Sequence, residues 1–296
     1  MSRIINNNLE LYKPSRSDWL KSIEYCGKLN NRNDKKLVFH CLWRVPLDFS
    51  RKQVAVLKSI IVNHDISNIE INLWSNVDLS GNEYFKQVSK YVNLKLWNIQ
   101  EEVKGTILEG YSVLSDINDN LCYLESDLFR LLVLHKYGGF YIDMDVLVLR
   151  DMSPLNSFEF LYQWGTSGFS SHEPHITMNG AIMRLEKKSK LSKEFLEKIL
   201  ITKPVVNTTA WGNQLYSKIE DNDLLVLPCI WFNSEWGFDG TRCNPFKNIG
   251  PVELFNGAFT WHWHNKWNDE VEVGSKFQIL EEIHNQKFKA QLSHKP

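Results

Sequence analysis

The apolar positions along this chain change period repeatedly, and the order of those changes predicts the fold. Leu37-Val38-Phe39-His40-Cys41-Leu42-Trp43 is a nearly continuous apolar run and reads as a short buried strand. Ser50 is placed to cap a helix whose apolar positions, Val54, Leu57, Ile60 and Ile61, recur at helical spacing. Ile69-Glu70-Ile71-Asn72-Leu73-Trp74 alternates as a strand should, and a helix over Glu83–Tyr91 and a strand over Val92–Trp97 are expected to follow. Leu121–Tyr137 is the clearest helix. Leu121, Leu124, Leu128, Leu131 and Leu132 lie along one broad face, Asn118–Asn120 offers a start, and Gly138-Gly139 a stop. Ser192–Leu200 predicts a further helix. Strands alternating with helices in this way predict an α/β sheet with crossover helices.

The segment after the Gly-Gly stop carries the chemistry. Gly138 to Leu149 is apolar on both sides of an acidic pair and is expected to be one interior strand. Side chains two apart on a strand share a face, so Tyr141, Asp143 and Asp145 should project together, with Ile142, Met144 and Val146 packed behind. Two neighbouring carboxylates in a buried strand repel and lose solvation unless a proton or cation neutralises them. A hard divalent ion bridging to a diphosphate would do so; solvated charges at an exposed strand end are the plainer alternative. Asp127 and Arg130, three apart on the strong helix, face one side. They form either a helix-surface salt bridge, which contributes little, or a pair aimed into a pocket at sugar hydroxyls.

Composition narrows the class without choosing within it. The 296 residues are 43% hydrophobic and 23% charged, an ordinary globular composition with length for one large α/β domain. A net charge of -1 announces no basic face, which disfavours nucleic acid as the main partner. The 11 Trp and 10 Tyr suit stacking platforms for bases and sugars, although core packing claims most such residues. Cys26, Cys41, Cys122, Cys229 and Cys243 are scattered without a C-x-x-C pair, as expected of reduced thiols in a cytosolic protein. Met1–Trp19 is polar and Asn-rich, without the apolar stretch of a signal peptide, and no run approaches a membrane span. A cytoplasmic protein, free or peripheral at a membrane, is the expectation.

Glu125-Ser126-Asp127-Leu128-Phe129-Arg130 followed by Tyr137-Gly138-Gly139-Phe140-Tyr141-Ile142-Asp143-Met144-Asp145 resembles the signature of glycosyltransferase family 32, the sugar-binding region containing DXD. It is also similar to the catalytic domains of clostridial glucosylating toxins. Two further places extend the resemblance over residues 37–267: His40-Cys41-Leu42-Trp43, and Trp261-His262-Trp263-His264-Asn265-Lys266-Trp267. Lys266, where the family usually has Ser, and the doubled His-x-His depart from its pattern.

The resemblance implies a GT-A-type, single Rossmann-like α/β domain with a mixed central sheet flanked by helices. Residues 1–36 would be a helical lead-in, 37–110 the nucleotide-binding half, and 111–296 the half carrying the DXD motif, the sugar and acceptor sites and a metal-site tail. It implies that Trp43 stacks on the nucleobase, that Asp127 and Arg130 hold the donor sugar, and that Tyr141 and Asp143 contact the donor. Asp145 would bind the metal, Mn²⁺ or Mg²⁺, with His262 and Asn265 as further ligands and His264 as the alternative histidine. Trp267 would support the departing phosphate through its indole N–H, with Lys266 as a nearby cation, and Asn179-Gly180 is a candidate sugar or acceptor contact. The implied activity is retaining transfer of a sugar from a nucleotide-sugar, UDP-linked ahead of GDP-mannose, to a glycan, a lipid-linked saccharide or a protein.

Two other classes compete. A haloacid-dehalogenase-type phosphatase also uses Asp-x-Asp at a strand end, which Asp143 and Asp145 satisfy. It needs a later acidic pair, for which Asp221 and Asp223 are the near match, and its motif normally opens the first strand. A non-catalytic carbohydrate-binding protein would use the aromatics but has no need of Asp127, Arg130, Asp143 and Asp145 in this arrangement.

Overall fold

The computed structural model describes residues 35–44, 48–111, 123–163, 178–205, 210–219, 224–227, 229–233, 245–248 and 257–293. Residues 1–34 of the lead-in, the Asn118–Asn120 helix start, Asp221 and Asp223 therefore fall outside the described residues. In chain order the strands are β1 (Leu37–Trp43), β2 (Ile69–Ser75), β3 (Asn93–Leu96), β4 (Gly139–Ile142), β5 (Val146–Val148), β6 (Phe160–Gln163), β7 (Met178–Leu185), β8 (Leu225–Leu227) and β9 (Thr260–His262). The helices are α1 (Arg51–Val62), α2 (Glu83–Lys86), α3 (Ile99–Glu102), α4 (Tyr123–Tyr137), α5 (Lys190–Ile201), α6 (Ala210–Tyr216) and α7 (Lys276–Ser293).

Seven strands form one mixed sheet in the order β3-β2-β1-β4-β7-β6-β8, and β5 and β9 form a separate antiparallel ribbon. β3, β2, β1 and β4 run parallel and β7 runs against β4. The alternation of β1 sorts its side chains between two cores. Leu37, Phe39, Cys41 and Trp43 pack with α1 and α7, whereas Leu42 joins the cluster built around α4, α5 and α6. Helices thus cover both faces, and the carboxyl ends of β1 and β4 open between them.

Local chemistry explains most boundaries. Ser50 closes a capping box, its backbone N–H donating to Gln53 Oε1 at 2.8 Å, so α1 starts where the sequence predicts. α4 stops at Gly138, which has φ 72°, and Gly139 follows at φ 101° with no room for a side chain, because a Cβ would overlap the Val38 carbonyl oxygen. The predicted helix at Glu83–Tyr91 is shorter. Asn82 caps one turn, after which Gln87, Val88 and Tyr91 each donate to the carbonyl three residues back, so tight turns replace the α-helix.

The expectation of one strand from Gly138 to Leu149 is corrected. β4 ends at Ile142, Val146 N–H donates to Asp143 O at 3.1 Å across a turn, and β5 leaves the main sheet to pair with β9. Asp143 N–H still reaches Ala181 O at 2.8 Å, the end of the ladder with β7. Beyond that point the carboxylates cannot sit inside a ladder between apolar layers, and the turn gives them other partners. The side-chain alternation predicted for Tyr141, Asp143 and Asp145 therefore holds only up to Asp143.

Candidate active site

The β4–β5 turn brings together three groups able to hold a metal. Asp143, Asp145 and His262 each offer a ligand atom, and these lie within 4.8 Å of one another. Asp145 is buried, and its Oδ2 lies 3.1 Å from His262 Nε2 and accepts the Asn265 backbone N–H at 2.7 Å. Its Oδ1 is buried with no hydrogen-bond partner. The other nitrogen of His262, Nδ1, pairs with the Tyr162 hydroxyl at 3.1 Å, which fixes the ring and leaves Nε2 towards the carboxylates. A carboxylate oxygen stranded in this way is costly unless a cation meets it. The donor set fits a divalent ion.

The two carboxyls are pushed in opposite directions. Burial raises Asp143 above the usual carboxylate range; Arg130 pulls it back and Asp145 pushes it up again. Burial would raise Asp145 too, but His262 and the backbone N–H of Asn265 outweigh it and hold Asp145 below that range.

Ten to twenty residues upstream, α4 turns Asp127 and Arg130 inward to the same cleft. They are 6% and 7% exposed, which decides against a helix-surface salt bridge. Arg130 Nη2 lies 3.5 Å from both Asp127 Oδ1 and Asp143 Oδ1 and donates to Ser126 Oγ at 2.6 Å; Nη1 donates to the Tyr216 hydroxyl at 3.3 Å. Burial works against the guanidinium charge, yet Tyr216, Asp143, Tyr141 and Asp127 around it hold its pKa well above the ordinary value. Tyr141 donates its hydroxyl to Asp143 Oδ1, and burial followed by that carboxylate push the phenol up, so it remains a donor.

Sequence reasoning missed three members of this network. Ser126 bridges Arg130 and Tyr141, and Gly212 N–H donates to Asp127 Oδ2 at 2.9 Å. Tyr216 meets Arg130. Both later residues come from α6, a helix too short for its periodicity to stand out in the sequence. Glycine is required where these groups crowd the backbone. A Cβ on Gly212 would lie 2.7 Å from Asp127 Oδ1, and one on Gly180 would overlap the Tyr216 hydroxyl.

The remaining candidates are placed unequally. Trp43 lines the cleft but is only 3% exposed, packed edge-on against Phe49 and Trp267. Asn179 also lines it, its Oδ1 accepting the Ala181 N–H at 2.7 Å. His264 stacks on His262 with centroids 3.9 Å apart, and its Nε2 pairs with Asn233 Nδ2 at 2.7 Å, outside the carboxylate cluster. The Asn265 side-chain oxygen accepts the Trp267 indole N–H at 3.1 Å, so in this arrangement the backbone of Asn265, not its side chain, meets Asp145. Lys266 does not line the cleft and pairs with Asp269 at 3.5 Å. His40 is structural: it accepts the Trp74 indole N–H at Nδ1 and faces Gly138 O through Nε2, tying β1 to β2 and to the Gly-Gly stop.

Comparisons with known proteins agree with this geometry. Residues 55–161 match the profile described as glycosyltransferase sugar-binding region containing DXD motif. An uncharacterized protein of Arabidopsis thaliana, At4g19900, is 30% identical over 158 residues, 52% of this chain and 23% of that protein. The glycosyltransferase GlyE of Streptococcus pneumoniae superposes with a TM-score of 0.53 at 11% identity, covering 88% of this chain and 64% of that one. The WbbM bifunctional glycosyltransferase gives 0.55 at 13%, covering 89% and 53%. The chain thus spans less than two thirds of the length of each of these relatives. No helix among the described residues is long and apolar enough to cross a membrane. Residues 55–161 are thus similar to the DXD-containing sugar-binding region of glycosyltransferases, and the chain has a GT-A-type α/β fold.

Proposed function

We propose that this protein transfers a sugar from a nucleotide-sugar to a glycan, lipid-linked saccharide or protein acceptor, with retention at the anomeric carbon and dependence on a divalent ion, best Mn²⁺. The observation that carries the reading is the buried Asp145 Oδ1, orphaned beside Asp143 and His262 and at the same cleft as Asp127 and Arg130. Asp143, Asp145 and His262 would hold the ion, which when bound supplies a Lewis acid for the diphosphate.

The chain's own residues divide the rest of the work. Asp127 and Arg130, fixed by Gly212 and Tyr216, bind sugar hydroxyls and orient the ring. Arg130 places fixed positive charge where the donor is held, without reorganising during reaction. Tyr141 keeps Asp143 oriented by its hydroxyl. Trp43 and Trp267 wall the nucleotide end, and the Trp267 indole N–H supports the leaving phosphate once it exchanges Asn265 Oδ1 for it. A UDP-sugar is the assigned donor ahead of GDP-mannose, following the enzymes that share the Tyr-x-Asp-x-Asp block.

The test is a panel of UDP- and GDP-sugars with Mn²⁺. Slow release of the nucleotide is expected, abolished by chelator and by Asp145→Ala in a folded protein. Full turnover in excess EDTA would sink the metal-dependent mechanism. Phosphate release from a phosphomonoester would support the phosphatase, and binding without turnover the lectin.

A further inference from the structure

Lys52 is a buried cation that the transfer reading does not use. It lies in the first turn of α1, 5% exposed, and α1 follows the strand that ends at Trp43. A buried ammonium normally faces a carboxylate. The charge of Asp269 acts on Lys52, but the hydrogen bonds of its Nζ go to three backbone carbonyls of the tail: Lys266 O at 2.7 Å, Trp267 O at 2.9 Å and Asp269 O at 2.5 Å. An ammonium has three protons, and all three are used. The charge also sits 3.9 Å from the centroid of the Phe246 ring, an electrostatically favourable face.

The held segment is the one that needs holding. His264 and Asn265 both have φ 55°, a conformation that residues other than glycine adopt rarely and keep only where their surroundings impose it. That turn aims Asn265 N–H at Asp145 Oδ2, while Trp263 N–H donates to Asp145 O at 3.0 Å. Immediately after the turn come the carbonyls gripped by Lys52. Trp267, between them, packs its ring on Trp43 at 4.9 Å and Trp263 at 4.8 Å. The tail is thus pinned on one side by Asp145 and on the other by Lys52.

We infer that Lys52 is a positioning residue: by gathering the carbonyls of Lys266, Trp267 and Asp269 it holds the His264–Asn265 turn against Asp145 and keeps Trp267 beside Trp43. The inference rests on the transfer reading only for its consequence at the metal, since the pinning itself is independent of any ligand. A lysine that served stability alone would couple to the whole fold, whereas the three carbonyls that Lys52 gathers all belong to residues 266–269.

Hydrogen exchange of the full chain, read by mass spectrometry without metal or nucleotide, tests it. Lys52→Met keeps an unbranched apolar stem and removes the ammonium, with its bonds to the three carbonyls and its contact to the Phe246 ring. Amides in residues 263–269 should exchange roughly tenfold faster or more, while those of α4 remain unchanged. Lys52→Arg keeps the charge but spreads its donors over a flat fork, so a partial effect in the same segment is expected, and this variant decides the matter if Lys52→Met does not fold. Mn²⁺ titration by electron paramagnetic resonance should show affinity weakened on the order of tenfold, as for other residues that orient a metal ligand. Unchanged exchange at 263–269 in a folded variant would overturn the inference, and so would acceleration spread equally over α4. If the wild-type protein binds no Mn²⁺ and hydrolyses no nucleotide-sugar, the transfer reading fails, and the exchange data still decide the role of Lys52.

Discussion

Arg130→Met separates a buried polar network from a surface ion pair. The substitution removes the donors to Ser126 Oγ and the Tyr216 hydroxyl and withdraws the guanidinium from Asp127 and Asp143. Removing one side of a buried pair costs about 3–5 kcal/mol, because the other charge stays behind. The stranded Asp143 can instead take up a proton, which sets a ceiling. From an ordinary Asp pKa of about 3.9, protonation costs about 4 kcal/mol at pH 7 and about 1.5 kcal/mol at pH 5. Asp143 keeps 24% of its side-chain exposure towards the cleft, so water offsets part of the loss. The expected destabilisation is about 2–4 kcal/mol at pH 7 and at most about 1.5 kcal/mol at pH 5. The direction follows from linkage. A carboxyl whose folded pKa is raised favours folding below its unfolded pKa and loses that contribution as pH rises through the folded value. The variant raises Asp143 further, so its deficit against wild type widens from pH 5 to pH 7. Adding Asp143→Asn removes the stranded charge and should restore most of the stability without restoring transfer. Urea denaturation followed by Trp fluorescence at both pH values measures this. A loss below about 1 kcal/mol at both, the size of an exposed pair, with no rescue by the second substitution, would refute the burial argument.

Trp43→Ala should cost about 3–5 kcal/mol of stability, because the ring is packed against Phe49 and Trp267. Trp43→Phe retains much of that packing and isolates the nucleotide effect, which for base stacking is about 1–3 kcal/mol; unchanged UDP and GDP affinity by calorimetry would make Trp43 a core residue alone. Burial depresses His40 to about 4, and likewise His284, so each contributes stability that is present above the unfolded pKa and lost as pH falls towards 4. Thermal melts should show a loss of about 2–3 kcal/mol per histidine between pH 6.5 and 4.5, flattened in His40→Asn, and superimposable wild-type and variant profiles would contradict it.

What the sequence made legible was the part carried by local pattern. The Ser50 cap, the apolar face of α4 and the Gly138-Gly139 stop are each written in adjacent residues, and the structure follows them. The break after Ile142 was not legible, because apolar residues continue through Val146–Leu149 whether the strand stays in the sheet or crosses to β9. Period-two alternation says which side a residue faces and nothing about which sheet receives it. The same limit hid Tyr216 and Gly212. Their role is visible only once α6 is packed against Asp127 and Arg130, a contact between segments far apart in the chain. Asp127 and Arg130 illustrate the converse: their spacing fits a surface pair and an inward pair equally, and burial alone separates the two.

The break at the Asp-x-Asp turn also explains why the site can be both buried and open. Had β4 continued as one strand, Asp143 and Asp145 would have projected side by side from a rigid ladder, with repulsion met from one direction. Instead Asp143 stays with the main sheet through its N–H to Ala181 O, and Asp145 departs with β5 into the ribbon that contains His262. The carboxylates approach from two sheets, each with its own support: Arg130 and Tyr141 for Asp143, His262 and the Asn265 N–H for Asp145. Relative movement of the small ribbon against the large sheet would change the spacing of the ligand atoms without disturbing Asp127 and Arg130. The candidate metal-ligand cluster and the Asp127–Arg130 pair therefore meet at Asp143, and the segment that follows β9 is tied to Asp145 on one side and to Lys52 on the other.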